Sequence, residues 1–136
     1  MYFYKCKECE NVVFSKVQKD LICCDNKMEE ILPNQVLEGE EQEDIHYLKV
    51  KKIGALYTLY CEADHPMLAV HHLEFAILET KNSFYCRFLN LDDYPSIDFL
   101  IGPDEEYKTA YIYCNEFGLI EAQEFEDKGI KKEENK

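Results

Sequence analysis

The chain has 136 residues, which is the size of one domain or of a small module joined to a modest one. Hydrophobic residues make up 46% of it, which is enough for a core and excludes a wholly disordered protein. The 28 acidic residues outnumber the 15 basic ones, and the formal net charge of -13 argues against nucleic-acid binding. Neither a membrane span nor a signal peptide is recognisable, so we expect a cytoplasmic protein with no membrane partner.

Short runs rich in tyrosine, phenylalanine, valine and isoleucine predict β-strands along the chain. Turn-forming residues such as Gly54 separate them, and Phe84, Cys86 and Phe88 alternate with more polar neighbours as the two faces of a strand do. Such regular short strands predict an all-β protein with an antiparallel sandwich or barrel. The predicted strands are Tyr2–Lys5, Val12–Val17, Asp20–Cys23, Ile45–Ile53, Ala55–Cys61, His71–Glu79, Ser83–Leu89, Ser96–Ile101, Thr109–Cys114 and Leu119–Ala122.

Composition divides the chain into four segments. Residues 1–36 hold four of the seven cysteines and form a small module, and residues 37–44 read as an acidic linker. Residues 45–125 contain most of the predicted strands and form the larger domain. Residues 126–136 are a charged tail that we expect to be frayed.

Four cysteines form two close pairs near the start of the chain, Cys6 with Cys9 and Cys23 with Cys24. In a reducing cytoplasm, clustered cysteines are more often metal ligands than disulfides. Four thiolates can surround iron or zinc tetrahedrally, and the metal would supply stability that a module of about 30 residues cannot obtain from its core. The alternative is four unconnected buried cysteines.

All four histidines fall between positions 46 and 72, and Cys114 lies far downstream at the end of a predicted strand. Taken singly, a histidine in a strand is usually a packing residue, and a cysteine a small hydrophobe. We give this ordinary explanation to Cys61 and Cys86, which we predict to be buried structural cysteines.

Taken together, these residues resemble desulfoferrodoxin, the two-iron superoxide reductase family, over nearly the whole chain. Their order and approximate distances agree with that family. The segments that carry the resemblance are Tyr4-Lys5-Cys6-x-x-Cys9, Leu21-Ile22-Cys23-Cys24, Met28, His65-Pro66-Met67-x-x-x-His71, Glu74 and Cys114-Asn115-x-x-Gly118.

The resemblance implies a desulforedoxin-like module followed by an immunoglobulin-like antiparallel β-sandwich. The first iron would be held by four cysteines, Cys6, Cys9, Cys23 and Cys24, and would transfer electrons. The second would be held by His46, His65, His71 and the axial Cys114, and in the family it reduces superoxide to hydrogen peroxide. A small electron-donor protein such as rubredoxin and a homodimer are also implied.

The chain departs from the family at its second site. Phe117 stands where the family has a fourth histidine, and Ile45 stands where it has a lysine that attracts superoxide. Three nitrogens and one sulfur suit zinc at least as well as iron. Two readings therefore remain: a superoxide reductase with an impaired site, or a non-catalytic protein that transfers electrons like rubredoxin or binds metal structurally.

Four further residues bear on the completeness of the two sites. Glu116 is a candidate substitute ligand at the second site, and His72 is a poorer one because in a strand it points away from the face of His71. At the first site Glu10 and Asp25 replace glycines of the family, so we expect a left-handed backbone at both positions, with some strain.

Overall fold

The computed structural model describes residues 1–36 and 44–129, and the described residues form 13 β-strands. The predicted all-β class is confirmed. The chain divides into two compact units, Met1–Pro33 and Asn34–Lys136. Within the described ranges, no helix is long and apolar enough to cross a membrane.

The first unit is a small sheet with an attached hairpin. Its core is formed by the buried side chains of Tyr4, Cys6 and Met28, against which Val13 and Leu21 pack. The sheet has the order β2-β1-β5, and β3 pairs with β4 to make the hairpin. The strands are β1 (Tyr2–Lys5), β2 (Val12–Ser15), β3 (Ile22–Cys23), β4 (Asn26–Lys27) and β5 (Glu29–Ile31).

The second unit contains two four-stranded sheets, with the orders β10-β7-β6-β13 and β12-β11-β8-β9. Side chains from both sheets, including Leu48, Leu59, Leu78 and Ile112, share one buried hydrophobic core, so the predicted sandwich is confirmed. The strands are β6 (Leu48–Ile53), β7 (Leu56–Cys61), β8 (Leu73–Thr80), β9 (Phe84–Phe88), β10 (Ile97–Leu100), β11 (Tyr107–Cys114), β12 (Gly118–Glu121) and β13 (Glu124–Asp127).

Strand β13 has no counterpart among the strands predicted from the sequence. It pairs in parallel with β6, and the register sets Glu124, Glu126 and Asp127 opposite Lys49, Lys51 and Lys52. Opposite charges therefore face each other at three of the four paired positions, and Phe125 lies opposite Val50 at the fourth. The linker predicted at 37–44 lies outside the described residues except for Asp44, as does the predicted tail beyond residue 129.

Candidate metal centres

The four N-terminal cysteines meet at one point of the first unit. Cys6 follows β1 and Cys9 lies in the turn to β2, while Cys23 ends β3 and Cys24 begins the turn to β4. Their sulfur atoms all lie within 4.8 Å of one another. The structure thus brings together the two pairs that the sequence predicts to share a metal.

The backbone turns around this cluster as the resemblance implies. The amide of Glu10 donates to the Cys6 carbonyl at 2.8 Å, which closes the turn that carries the first pair. Glu10 and Asp25 both have φ of 63°, in the left-handed region that the family fills with glycine. The expectation of a left-handed backbone at these two positions is therefore confirmed, and Cys24 shares it with φ of 51°.

Electrostatics of the four thiols favours a bound cation. A hydrogen bond from the Cys9 backbone lowers the pKa of Cys6 to about 7. Hydrogen bonding with the sulfurs of Cys6 and Cys9 raises the pKa of Cys23 to about 12, because a proton there is shared with its neighbours. A bound metal ion would replace these protons and stabilise all four thiolates. The donor set fits tetrahedral iron or zinc.

A second cluster lies at one end of the sandwich, where ligand atoms of His46, His65, His71 and Cys114 all lie within 4.8 Å of one another. The histidine rings of 46 and 65 are 4.9 Å apart between centroids, and those of 65 and 71 are 4.7 Å apart. His46, His65 and Cys114 are buried, whereas His71 is half-buried. The structure thus brings together all four predicted residues of the second site.

Sheet register explains why these distant residues converge. Leu48 pairs with Cys61, so His46 before β6 and His65 after β7 lie at the same end of one sheet. In the other sheet, Cys114 at the end of β11 pairs with Leu73 at the start of β8. The register shifts just before this pair, because Tyr113 pairs with Phe75 and Cys114 with Leu73, so that the pairing skips Glu74 on β8.

The protonation of His65 suits a metal ligand. Its Nδ1 lies 2.7 Å from the Pro66 carbonyl, so Nδ1 carries the proton and Nε2 keeps its lone pair. Burial lowers the pKa of His65 to about 4, which keeps the ring neutral at neutral pH. Among the described residues, Nε2 of His65 and Nε2 of His71 are buried without a hydrogen-bond partner. A metal ion is the partner that such converging lone pairs fit.

The loop after Cys114 shapes the environment of its sulfur. Burial raises the pKa of Cys114, while hydrogen bonds from the backbone of residues 116–118 oppose that rise. The clearest of these is the amide of Phe117, which donates to Sγ at 3.3 Å. The loop requires glycine at position 118. Its φ is 98°, which residues with a side chain rarely adopt, and a Cβ at this position would lie only 2.8 Å from Nδ2 of Asn34.

Comparison with solved structures agrees with this architecture. The crystal structure of the superoxide reductase from Treponema pallidum aligns with a TM-score of 0.73 and 18% sequence identity. The alignment covers 90% of this chain and 96% of that one. The chain has the superoxide reductase fold. Neither a protein-family model nor a curated relative matches the sequence.

Within this superoxide reductase fold, Phe117 packs against the second cluster without supplying a ligand atom. Its ring stacks on His46, with centroids 4.2 Å apart and planes 12° from parallel. Glu116 is exposed, and it is not among the clustered residues that the described structure offers as ligands. His72 is engaged elsewhere, with Nδ1 2.9 Å from the Leu68 carbonyl and Nε2 3.6 Å from Glu74.

Among the described residues, the two remaining cysteines belong to neither cluster. Cys61 is buried in the sandwich core, and burial raises its pKa to about 12. Cys86 is only half-buried on β9. Sequence reasoning overlooked Asn34, whose side chain donates to the Phe117 carbonyl. An asparagine in an acidic, irregular stretch gave no signal of this contact.

Proposed function

We propose that the chain is a non-haem iron oxidoreductase of the superoxide reductase type, acting at His46, His65, His71 and Cys114. The observation that carries this proposal is the convergence of three imidazoles and one thiol at one end of the sandwich. In the reaction each superoxide gains one electron and two protons and leaves as hydrogen peroxide. Ferrous iron held by these four residues would supply the electron and become ferric.

Three of the four ligand residues have a definable task in this proposal. His65 and its Pro66 contact present a neutral imidazole in one fixed tautomer. Cys114 would supply a thiolate that increases electron density at a bound metal, and the Phe117 amide that points at its sulfur would moderate this effect. Burial of His46 and His65 keeps bulk water from that side of the site.

The four-cysteine cluster is proposed to hold a second iron that transfers electrons. Cys9 and Cys24 are exposed, so a small electron-donor protein such as rubredoxin would approach that centre from their side. Superoxide is the proposed substrate, and the proposed assembly is a homodimer in the cytoplasm. The seven free cysteines suit a reducing compartment.

A second candidate function is electron transfer without superoxide chemistry, as in a rubredoxin. The specific observation that favours it is Phe117 on His46, which leaves the second cluster with three nitrogens and one sulfur. Such a set accepts four-coordinate zinc as readily as iron. Ile45, which is half-buried and uncharged, offers no attraction for an anion beside a protein of net charge -13.

The test is the reaction of anaerobically iron-loaded protein with pulses of superoxide, with metal content measured for each sample. We expect two irons per chain and one hydrogen peroxide for every superoxide consumed, since a dismutase would give half that yield. Cys114→Ala should abolish the reaction, and Cys86→Ala serves as the matched cysteine control. One iron per chain with no consumption of superoxide would leave the electron-transfer function instead.

A further inference from the structure

Asn115 joins the chain segment that carries Cys114 to the segment that carries His71. Its Oδ1 accepts a hydrogen bond from the His72 amide at 2.8 Å, and its Nδ2 donates to the Val70 carbonyl at 3.2 Å. The Asn115 backbone amide also donates to the His72 carbonyl at 3.1 Å. These three hydrogen bonds hold the residues on both sides of His71 to the residue that follows Cys114.

The segment around His71 depends on such bonds because it lies outside the regular strands. It is a tight turn in which Leu68 and His71 exchange backbone hydrogen bonds at 2.8 and 3.0 Å, before β8 begins at Leu73. The side chains of Leu68 and Val70 are 59% and 73% exposed, so apolar burial of these two residues contributes little to holding the turn.

We propose that Asn115 is a positioning residue of the second site, which fixes the His71 imidazole relative to the Cys114 sulfur. The proposal rests on the proposed function, because it assumes that a metal binds there. An amide side chain is required, since it donates through Nδ2 and accepts through Oδ1 at once. Aspartate keeps the acceptor and loses the donor, and alanine loses both.

Cobalt(II) provides a direct test, because its visible bands report the geometry of its ligands. The full chain is titrated anaerobically with cobalt(II), and the signals that Cys114→Ala removes are assigned to the second site. Asn115→Ala should weaken cobalt binding at that site about 10-fold to 100-fold and shift its bands. Asn82→Ala, an exposed asparagine in the turn at the far end of β8, should leave both unchanged.

Asn115→Asp separates positioning from simple loss of stability. It keeps the bond to the His72 amide, so its cobalt bands should lie between those of the unmodified protein and those of Asn115→Ala. It also serves as the test variant if Asn115→Ala does not fold. If the folded variants show the cobalt affinity and bands of Asn82→Ala, the positioning role is overturned and the proposed function stands. If the unmodified protein binds no cobalt that depends on Cys114, both are overturned.

Discussion

Phe117 lies face to face with His46, its ring centroid 4.2 Å from that of the imidazole. The contact places a hydrocarbon ring, which supplies no ligand atom, beside the candidate metal-ligand cluster. The amide of the same residue donates to the Cys114 sulfur at 3.3 Å. Phe117 therefore shapes the second site through packing and through its backbone, while the ligand set stops at three nitrogens and one sulfur.

Replacing Phe117 with histidine should supply a fourth imidazole at the position where the family has one. We expect Phe117→His to raise the iron content of the sandwich, because a fifth ligand favours iron over four-coordinate zinc. The reaction with superoxide should accelerate in parallel. Metal analysis and pulse radiolysis measure the two effects, and Phe117→Leu controls for loss of the aromatic stack. Rapid turnover by the unmodified protein, unaltered in Phe117→His, would contradict this account.

Adding Ile45→Lys to Phe117→His should raise the rate with superoxide further. A positive charge beside the site attracts the anion to a protein that otherwise repels it. Because an exposed charge is screened over about 8 Å at physiological ionic strength, the gain should shrink as salt increases. Ile45→Met is the uncharged control. A gain that is independent of salt would argue against electrostatic attraction.

Loss of one ligand at the four-cysteine cluster should affect only that centre. We expect Cys24→Ser to remove one metal per chain and to loosen the first unit, whose buried core is small. The sandwich should stay folded because it has its own hydrophobic core. Metal content and circular dichroism test this, with Cys86→Ser as the control. Full metal content in Cys24→Ser would refute the assignment of that cluster.

Glu10 should be a site where glycine stabilises the first unit. A left-handed conformation costs a residue with a side chain roughly 1–2 kcal/mol, and glycine removes this cost. The greater conformational entropy of glycine in the unfolded chain offsets part of the gain. Glu10→Gly should therefore raise the free energy of unfolding by about 1 kcal/mol. The guanidinium concentration that bleaches the metal–sulfur absorption measures it. Glu8→Gly, in the same turn but outside the left-handed region, should give no gain.

We expect protonation of Glu105 to reduce the stability of the sandwich in acid. Its carboxylate accepts hydrogen bonds from Thr80 at 2.6 Å and from Tyr85 at 2.5 Å, and these bonds lower its pKa below 4.5. Because the pKa of Glu105 is lower in the folded protein than in the unfolded chain, its stabilisation is fully present above pH 4.5. The stabilisation is lost as the pH falls through the folded pKa. The urea midpoint of Glu105→Gln should therefore be lower than that of the unmodified protein at neutral pH. The two midpoints should converge in acid. Glu106→Gln controls for the lost charge.

The clustering of the candidate ligand residues was easier to predict from this sequence than the structure around them. Cysteine pairs and the histidine spacing are local signals, and all eight predicted ligand residues fall into the two clusters. Strand β1 was likewise predicted at Tyr2–Lys5, because three consecutive aromatic residues form a short run of the kind that favours strands.

Strand β13 could not be predicted because its stability comes from a distant partner. Its sequence, Glu-Phe-Glu-Asp, is exposed throughout and has almost no apolar signal. The lysines of β6 supply the opposite charges, and Phe125 stacks on Tyr107 with centroids 4.1 Å apart. The hydrogen bonds of Asn115 escaped prediction for a similar reason, since they depend on the sheet register that brings residues 72 and 115 together.

The two clusters differ in how far apart their residues lie along the chain, and this difference sets the order in which the two proposed metal centres can assemble during folding. Cys6 and Cys24 lie at the turns of two neighbouring short hairpins, with only β2 and β3 between them, so a small loop closure suffices to bring the four cysteines together. His46 and Cys114 meet only after both sheets have formed. Sheet formation requires contacts between residues far apart in the sequence, and such contacts form slowly. If both clusters bind metal as proposed, a chain emerging from the ribosome would complete the cysteine centre first, and the histidine centre only after most of the sandwich has been synthesised.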